Sequence, residues 1–370
     1  MYDPGTRYVL LQIARWRDPG SEQPWRPSRC WEMIQSNDIV ARSDREMNTQ
    51  RNLADLVREA PLGDFIRTRD LIRDDIIRAP LLPYLGAEGR IRLQAECLQP
   101  LGSFKIRAAT SALQQLDSTL LARGVATASA GNFAQGLALA ARRRGVALTV
   151  HVPDSAARMK VDNLRALGAQ VVEHTFADWW QIMSTRETGA ADGTFIHPVC
   201  EPAVILGNGT IGLELAESWP ELDTVVVPFG GGGLATGIAL ALRALSRKVR
   251  IIACEVATST PLTAAFAAGK PTRVERHPSF VDGVGSNSVL EEMWPLLREL
   301  IDQVIVVELA EAERAVRDLA LRHHIVAEGA GALALAAALS PQCQGSHVAA
   351  IISGGNIDAS KLCPILETHS

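Results

Sequence analysis

A chain of 370 residues, 47% hydrophobic and 21% charged, has room for one large or two intertwined domains and the composition of a soluble globular protein. Its net charge of −4 offers no basic footprint for nucleic acid or an anionic membrane, and no apolar run reaches membrane-spanning length. Six scattered cysteines (Cys30, Cys97, Cys200, Cys254, Cys343, Cys363) form no CxxC pair and accompany no histidine cluster, which points to a reducing, cytoplasmic setting.

Residues 1–64 are rich in Arg, Asp, Trp and Pro and carry no sustained apolar period, so they read as an N-terminal extension. The short apolar run from Tyr8 to Ala14 lacks a small-residue cleavage site and does not read as a signal peptide. Beyond residue 64, strand-like and helix-like segments alternate. Ile91–Cys97 precedes the helix-like Phe104–Leu116, Val125–Ser129 precedes Phe133–Arg144, and Leu148–Val152 precedes Ala156–Leu167. Thr224–Pro228, Arg250–Cys254 and Val348–Ile352 continue the strands, with helices at Ile205–Trp219, Leu234–Leu245 and Ala310–His323. Alternation of this kind predicts parallel β/α construction, and the wholly apolar runs at 224–228 and 348–352 predict strands covered on both faces. The alanine-leucine stretch Gly329–Leu339 suits a helix crossing a core.

Ligands of open parallel sheets gather where strands end, so the strand-to-helix turns hold the candidates. The first turn, Gln99–Arg107, places Lys105 just inside a helix start, where the dipole disfavours its charge. Only five of the 37 basic residues are lysines (Lys105, Lys160, Lys248, Lys270, Lys361), so few amines are available as nucleophiles. In the second turn, Ser129, Ala130, Gly131 and Asn132 offer outward backbone N–H groups suited to a carboxylate. The third turn holds four successive glycines, Gly230, Gly231, Gly232 and Gly233, a bare backbone able to wrap a phosphate. It lacks the Gly-Lys-Ser/Thr of a Walker loop; Glu255 falls near the distance a dinucleotide site needs, but the glycine spacing favours a generic phosphate cradle. In the fourth turn Ser353 ends a strand and is followed by two glycines.

Taken together, Gly102-Ser-Phe-Lys-Ile-Arg107, Ser129-Ala-Gly-Asn132, Gly230–Gly233 and Ser353-Gly-Gly-Asn356 resemble the fold-type II pyridoxal-phosphate enzymes of the threonine/serine dehydratase and serine racemase branch. Glu201-Pro-Ala-Val204, Gly207-Asn-Gly-Thr-Ile211, Asp282-Gly-Val284 and Glu328-Gly-Ala-Gly331 extend the resemblance, which runs from about residue 64 to 358. It implies an α/β fold of the tryptophan synthase β type, with two open parallel-sheet domains and helices on both faces. Residues 65–123 and 199–370 would form the large cofactor domain, and residues 124–198 an inserted small one. It implies pyridoxal 5'-phosphate on Lys105 as the Schiff-base lysine, with Phe104 beside it. Asn132 would meet the cofactor's 3' oxygen, Gly230–Gly233 its phosphate and Ser353 its pyridine nitrogen. Ser129, Ala130, Gly131 and Asn132 would receive the substrate carboxylate.

The implied activity is β-elimination from L-threonine or L-serine by a cytoplasmic homodimer acting on a small amino acid. Family racemases carry a serine where this chain has Ala130, and a methyl group exchanges no proton, so net elimination is favoured over racemisation. A lyase for 3-hydroxyaspartate or phenylserine, and a non-catalytic ligand-binding protein, are the other readings. Two positions depart from the family pattern. Phe133 replaces a histidine, which puts the shape of the substrate pocket in question. Many relatives bind a divalent cation through a glutamate and an aspartate six residues later; here Glu255 is the one candidate ligand, Pro261 takes the second place, and weak or absent metal dependence is expected. No regulatory domain is expected after the serine turn, and His323 and His324 read as surface residues near a helix end.

Overall fold

The computed structural model describes residues 52–87, 89–188 and 193–367. Strands β1 (Leu81–Pro83) and β2 (Ile91–Gln94) come first. Residues 125–195 supply β3 (Val125–Ala128), β4 (Leu148–Pro153), β5 (Gln170–His174) and β6 (Thr194–Phe195). After these come β7 (Thr224–Pro228), β8 (Arg250–Val256), β9 (Gln303–Val307) and β10 (Val348–Ile351). The helices before β7 are α1 (Leu53–Val57), α2 (Leu62–Ile72), α3 (Lys105–Gln114), α4 (Ser118–Leu121), α5 (Asn132–Arg144), α6 (Arg158–Ala166), α7 (Phe176–Thr185) and α8 (Pro202–Ser218). Beyond it lie α9 (Gly233–Ala244), α10 (Pro261–Ala268), α11 (Trp294–Leu300), α12 (Leu309–His323), α13 (Gly329–Leu339) and α14 (Ala359–Glu367).

Among the described residues the strands form two sheets. One has the order β1-β2-β10-β7-β8-β9 and is parallel except for the antiparallel edge strand β1. The other has the order β5-β4-β3-β6 and is parallel throughout, so the expected α/β architecture is present. Successive side chains of a strand point to opposite faces, and here both faces are covered. Val225, Val227, Ile251, Ala253 and Ile351 pack against α8, α9 and α11. Val226, Ile252, Cys254, Val348 and Ala350 pack against α12 and α13. Helix α13 is buried from Gly329 to Ala338, which explains a composition with no polar face. Two glycines let α8 and α9 touch backbone to backbone: a Cβ on Gly237 would stand 2.4 Å from the Ile205 carbonyl, and one on Gly209 2.9 Å from the Gly237 carbonyl. The smaller sheet shares a third core with α3, α5 and α6.

The ordered fold begins earlier than residue 64. Helix α1 is capped by the Asn52 side chain, which accepts from Asp55 N at 3.0 Å, and it buries Leu53, Ala54 and Val57 in the core that also holds Phe65. A five-residue helix is too short to show a period, and so its apolar residues looked incidental in the sequence. Residues 1–51, the rest of the expected extension, lie outside the described residues. Helix α7 was also missed: its Phe176 and Trp180 are exposed and none of its residues is fully buried, so its apolar pattern has no inward face to follow.

Candidate active site

Strands β7 and β10 are neighbours in register, with Val348 opposite Thr224, so the turns at their ends emerge side by side. These are the glycine turn 230–233 and the Ser353 turn. The Lys105 turn is stitched to the latter: Phe104 N donates to Ser353 O at 3.1 Å, Cys97 N to Ile352 O at 2.9 Å and Gly355 N to Gly102 O at 2.9 Å. Three of the four turns thus depend on one end of one sheet. The fourth, Ser129–Asn132, leaves β3 of the other sheet and reaches the same place through Asn132, whose Nδ2 donates to Glu328 Oε1 at 3.0 Å and whose Oδ1 accepts from Asn356 Nδ2 at 2.9 Å.

Lys105 opens α3 and is half-buried, but its amine is enclosed by protein. Nζ lies 3.5 Å from Pro198 O, 5.1 Å from the Phe104 ring centroid and 5.9 Å from that of Phe133. Burial takes an ammonium out of water with no carboxylate at hand, and the amine is pushed down to about 8. The dipole argument from sequence pointed to this same lysine; the cause of the depression here is burial. Phe133 is 2% exposed and packs into the core under the smaller sheet, with its ring beside the lysine amine. His197 is held neutral, down to about 3, by burial and by the positive charges of Arg186 and Lys105; its Nδ1 accepts from Cys200 N at 2.8 Å and Val199 N at 3.1 Å.

The residues present fit pyridoxal phosphate. In the glycine turn a Cβ on Gly231 would stand 2.6 Å from Val199 Cγ2, and Gly232, with φ +91°, would bring one within 2.9 Å of Leu297 Cδ2. Only bare backbone lines this curve, and Gly232 caps α9, whose positive end faces the turn. Behind it Asn208 is 1% exposed, and neither end of its amide has a hydrogen-bond partner among the described residues. Buried amides are seldom left so, and an oxyanion in the glycine turn is the kind of partner such a site takes. Ser353 is buried at the adjoining strand end, with its backbone carbonyl taken by Phe104 N and its hydroxyl making no hydrogen bond to another described residue. In the sequence Asn208 stands within the family-like stretch Gly207–Ile211 but carries no role of its own, and Pro198 is missed because a backbone carbonyl leaves no motif.

Glu328, which the sequence offered only within the family-like stretch Glu328-Gly-Ala-Gly331, is central here. It caps α13 and is raised to about 7 by burial and the nearby Asp282 charge, against the pull of Lys160 and the Asn132 bond. Asp282 in turn accepts from Lys361 Nζ at 2.9 Å and Lys160 Nζ at 3.5 Å, so two more of the five lysines stand beside this wall.

Glu255 does not fit a metal. It is 1% exposed and both carboxylate oxygens are committed to the start of α10: Oε1 accepts from Leu262 N at 2.7 Å, and Oε2 from Thr263 N at 2.9 Å and Thr263 Oγ1 at 2.8 Å. Pro261 opens that helix and has no side-chain donor. No cluster of three or more potential ligand side chains occurs among the described residues. Dialysis against a chelator is expected to leave the thermal midpoint and activity unchanged. Glu255→Ala is expected to cost about 2–3 kcal/mol by leaving those donors unpaired. A midpoint raised several degrees by magnesium or calcium would contradict this.

A lysine amine enclosed beside a glycine cradle, at the shared end of a parallel sheet, defines a site for a phosphorylated carbonyl cofactor. The chain belongs to the pyridoxal-phosphate dependent enzyme family, which it matches over residues 72–354. It is 38% identical over 280 residues to the L-threonine ammonia-lyase of Thermotoga maritima, covering 75% of this chain and 70% of that protein. It is 35% identical over 334 residues to the serine racemase of Arabidopsis thaliana, covering 86% and 97% respectively. Among solved structures, that of maize serine racemase superposes with a TM-score of 0.77 at 31% identity over 82% of this chain and 96% of that one. The cofactor and fold expected from the resemblance therefore hold.

Proposed function

We propose that this chain is a pyridoxal-phosphate-dependent ammonia-lyase that converts L-threonine or L-serine to a 2-keto acid and ammonia. Likeness to an L-threonine ammonia-lyase supports the substrate class. The observation that carries the reading is the asymmetry of proton carriers: Lys105 Nζ is the enclosed amine, while the turn of the other sheet that is hydrogen-bonded to the lysine turn through Asn132 and Asn356 carries Ala130, whose methyl group moves no proton.

In this reading Lys105 holds the cofactor, Gly230–Gly233 receive its phosphate, Ser353 faces its ring nitrogen and Asn132 its ring oxygen. The bound cofactor supplies an electron-accepting ring that tolerates negative charge at the substrate α-carbon. Ser353 neither donates a charge nor forces protonation on that ring, which keeps the electrons available to expel a β-substituent. The N–H groups of Ser129–Asn132 and the start of α5 take the substrate carboxylate and orient the α-hydrogen. Lys105 Nζ, neutral at and above about pH 8, accepts that proton, and Phe104 and Phe133 keep water from it. Loss of the β-hydroxyl as water, then re-entry of water at the α-carbon, releases ammonia and the keto acid.

Residues 65–123 with 199–370 are proposed as the large domain and 124–198 as the small one. The β3–β6 sheet lies wholly within the second span, yet the core beneath it draws on α3 from the first. No helix among the described residues is long and apolar enough to cross a membrane. A cytoplasmic homodimer remains part of the proposal.

The test is an absorbance spectrum of the purified protein, then a keto-acid assay with L-threonine and L-serine and a chiral assay for D-serine. The expected result is a band near ~410–420 nm and keto acid without D-serine. A yellow protein that forms D-serine faster than keto acid would establish the racemase reading, which the likeness to serine racemases favours. A protein that takes up no cofactor would end both.

A further inference from the structure

Asn132 presents an amide whose two ends have nearly the same shape and opposite hydrogen-bonding character, so something must decide which end meets the ligand. The surrounding bonds decide it from both sides. Asn356 Nδ2 lies 2.7 Å from the Leu101 carbonyl, an atom that only accepts, so that end of Asn356 is its NH2 group. The second hydrogen of the same group points to Asn132 at 2.9 Å, which requires the Asn132 oxygen there. The NH2 group of Asn132 then faces Glu328 Oε1 at 3.0 Å, an acceptor, and the chain of donors closes without conflict. One N–H of Asn132 remains uncommitted among the described residues.

Two glycines make room for this arrangement. A Cβ on Gly102, whose φ is +70°, would stand 2.9 Å from Asn356 Oδ1, and one on Gly354 would stand 2.4 Å from Glu328 Oε1. The Leu101 carbonyl that starts the chain belongs to a residue in the left-handed region, φ 62°, in the turn that carries Lys105. A single exposed amide group therefore ties the lysine turn of one sheet to the asparagine turn of the other.

We propose that Asn356 is a positioning residue that holds the Asn132 amide with its nitrogen, not its oxygen, available to the cofactor's ring oxygen. This rests on the placement of Asn132 beside the cofactor. Asn356 touches neither substrate nor cofactor in this proposal and acts through Asn132 alone.

The experiment compares Asn132→Ala, Asn356→Ala and Asn356→Asp in the full chain. It measures pyridoxal-phosphate affinity by absorbance titration, the position of the long-wavelength band without substrate, and the thermal midpoint. Asp has the shape of Asn but donates nothing, and its carboxylate attracts the Asn132 nitrogen away from the ligand. Asn356→Asp is therefore expected to weaken cofactor binding on the order of tenfold and to move the band, and to be worse than Asn356→Ala. Midpoints should stay near wild type, since Asn356 is exposed. A purely structural role would instead lower the midpoint of both Asn356 variants, since each loses the bond to the Leu101 carbonyl, and would leave the band unmoved, and that outcome overturns the proposal. If Asn356→Asp misfolds, Asn356→Ala alone decides: an unmoved band and unchanged affinity overturn it. An effect of Asn132→Ala without one from either Asn356 variant removes this inference and leaves the proposed function standing. No effect of Asn132→Ala removes the placement of Asn132 and this inference together.

Discussion

Lys105→Ala, purified and supplied with excess pyridoxal phosphate, is expected to form keto acid from L-threonine at a rate lower by on the order of 10³-fold or more. The band near ~410–420 nm should be absent, because no other amine among the described residues occupies the enclosed position. Wild-type capture of the cofactor has a matching pH dependence. Burial depresses the Lys105 amine to about 8, and the neutral form is the one that attacks a carbonyl. The rate at which apoprotein takes up the cofactor should therefore climb as pH rises through about 8 and level off above it. Stopped-flow absorbance measures this directly. A climb centred near the ordinary lysine value would show that the amine is hydrated in solution, against the enclosure described above.

The largest effect on stability is expected two residues further along α3. Arg107 is entirely buried and bridges two carboxylates. Nε and Nη2 meet Glu96 at 2.8 and 2.9 Å, and Nη1 and Nη2 meet Glu214 at 2.8 Å each, with Thr210 Oγ1 at 3.1 Å from Nη1. Burial raises Glu214, and the arginine pulls it back. Arg107→Met removes the cation and leaves both acids in the core, so urea unfolding should show a loss of about 3–5 kcal/mol. Arg107→Lys should recover only part of it, because an ammonium cannot serve two carboxylates in the forked geometry of a guanidinium. A loss below about 1 kcal/mol for Arg107→Met would mean the acids are paired elsewhere.

Both predictions concern one helix, yet only one of the two residues was given a role from the sequence. Lys105 could be found because its turn has a pattern and because lysines are scarce. Arg107 sits in the same pattern, but its partners Glu96 and Glu214 are 11 residues before and 107 after it, a pairing that spacing does not disclose. The parallel sheets were legible for the same reason as the glycine turn: strands buried on both faces are apolar throughout, and the turn beyond β7 is bare backbone. Strand order and the antiparallel edge β1 were not, since a three-residue strand leaves no period. Asn356 was quoted within a motif yet given no part, because its contribution lies in the direction of two hydrogens. Glu255 shows the converse. Its position and Pro261 argued against a cation, but only the structure shows that the end of a helix stands there.

The division of the site between two sheets has a consequence for how such an enzyme changes over generations. The glycine turn and Ser353 leave adjacent strands of one sheet, whereas Ser129–Asn132 hangs from the other. On the proposed reading, substitutions within the β3–β6 layer can therefore reshape the face assigned to the amino acid without loosening the glycine turn assigned to the phosphate. Drift in that layer away from Asn132 would, on the proposed reading, alter what is consumed while the means of consuming it stays intact.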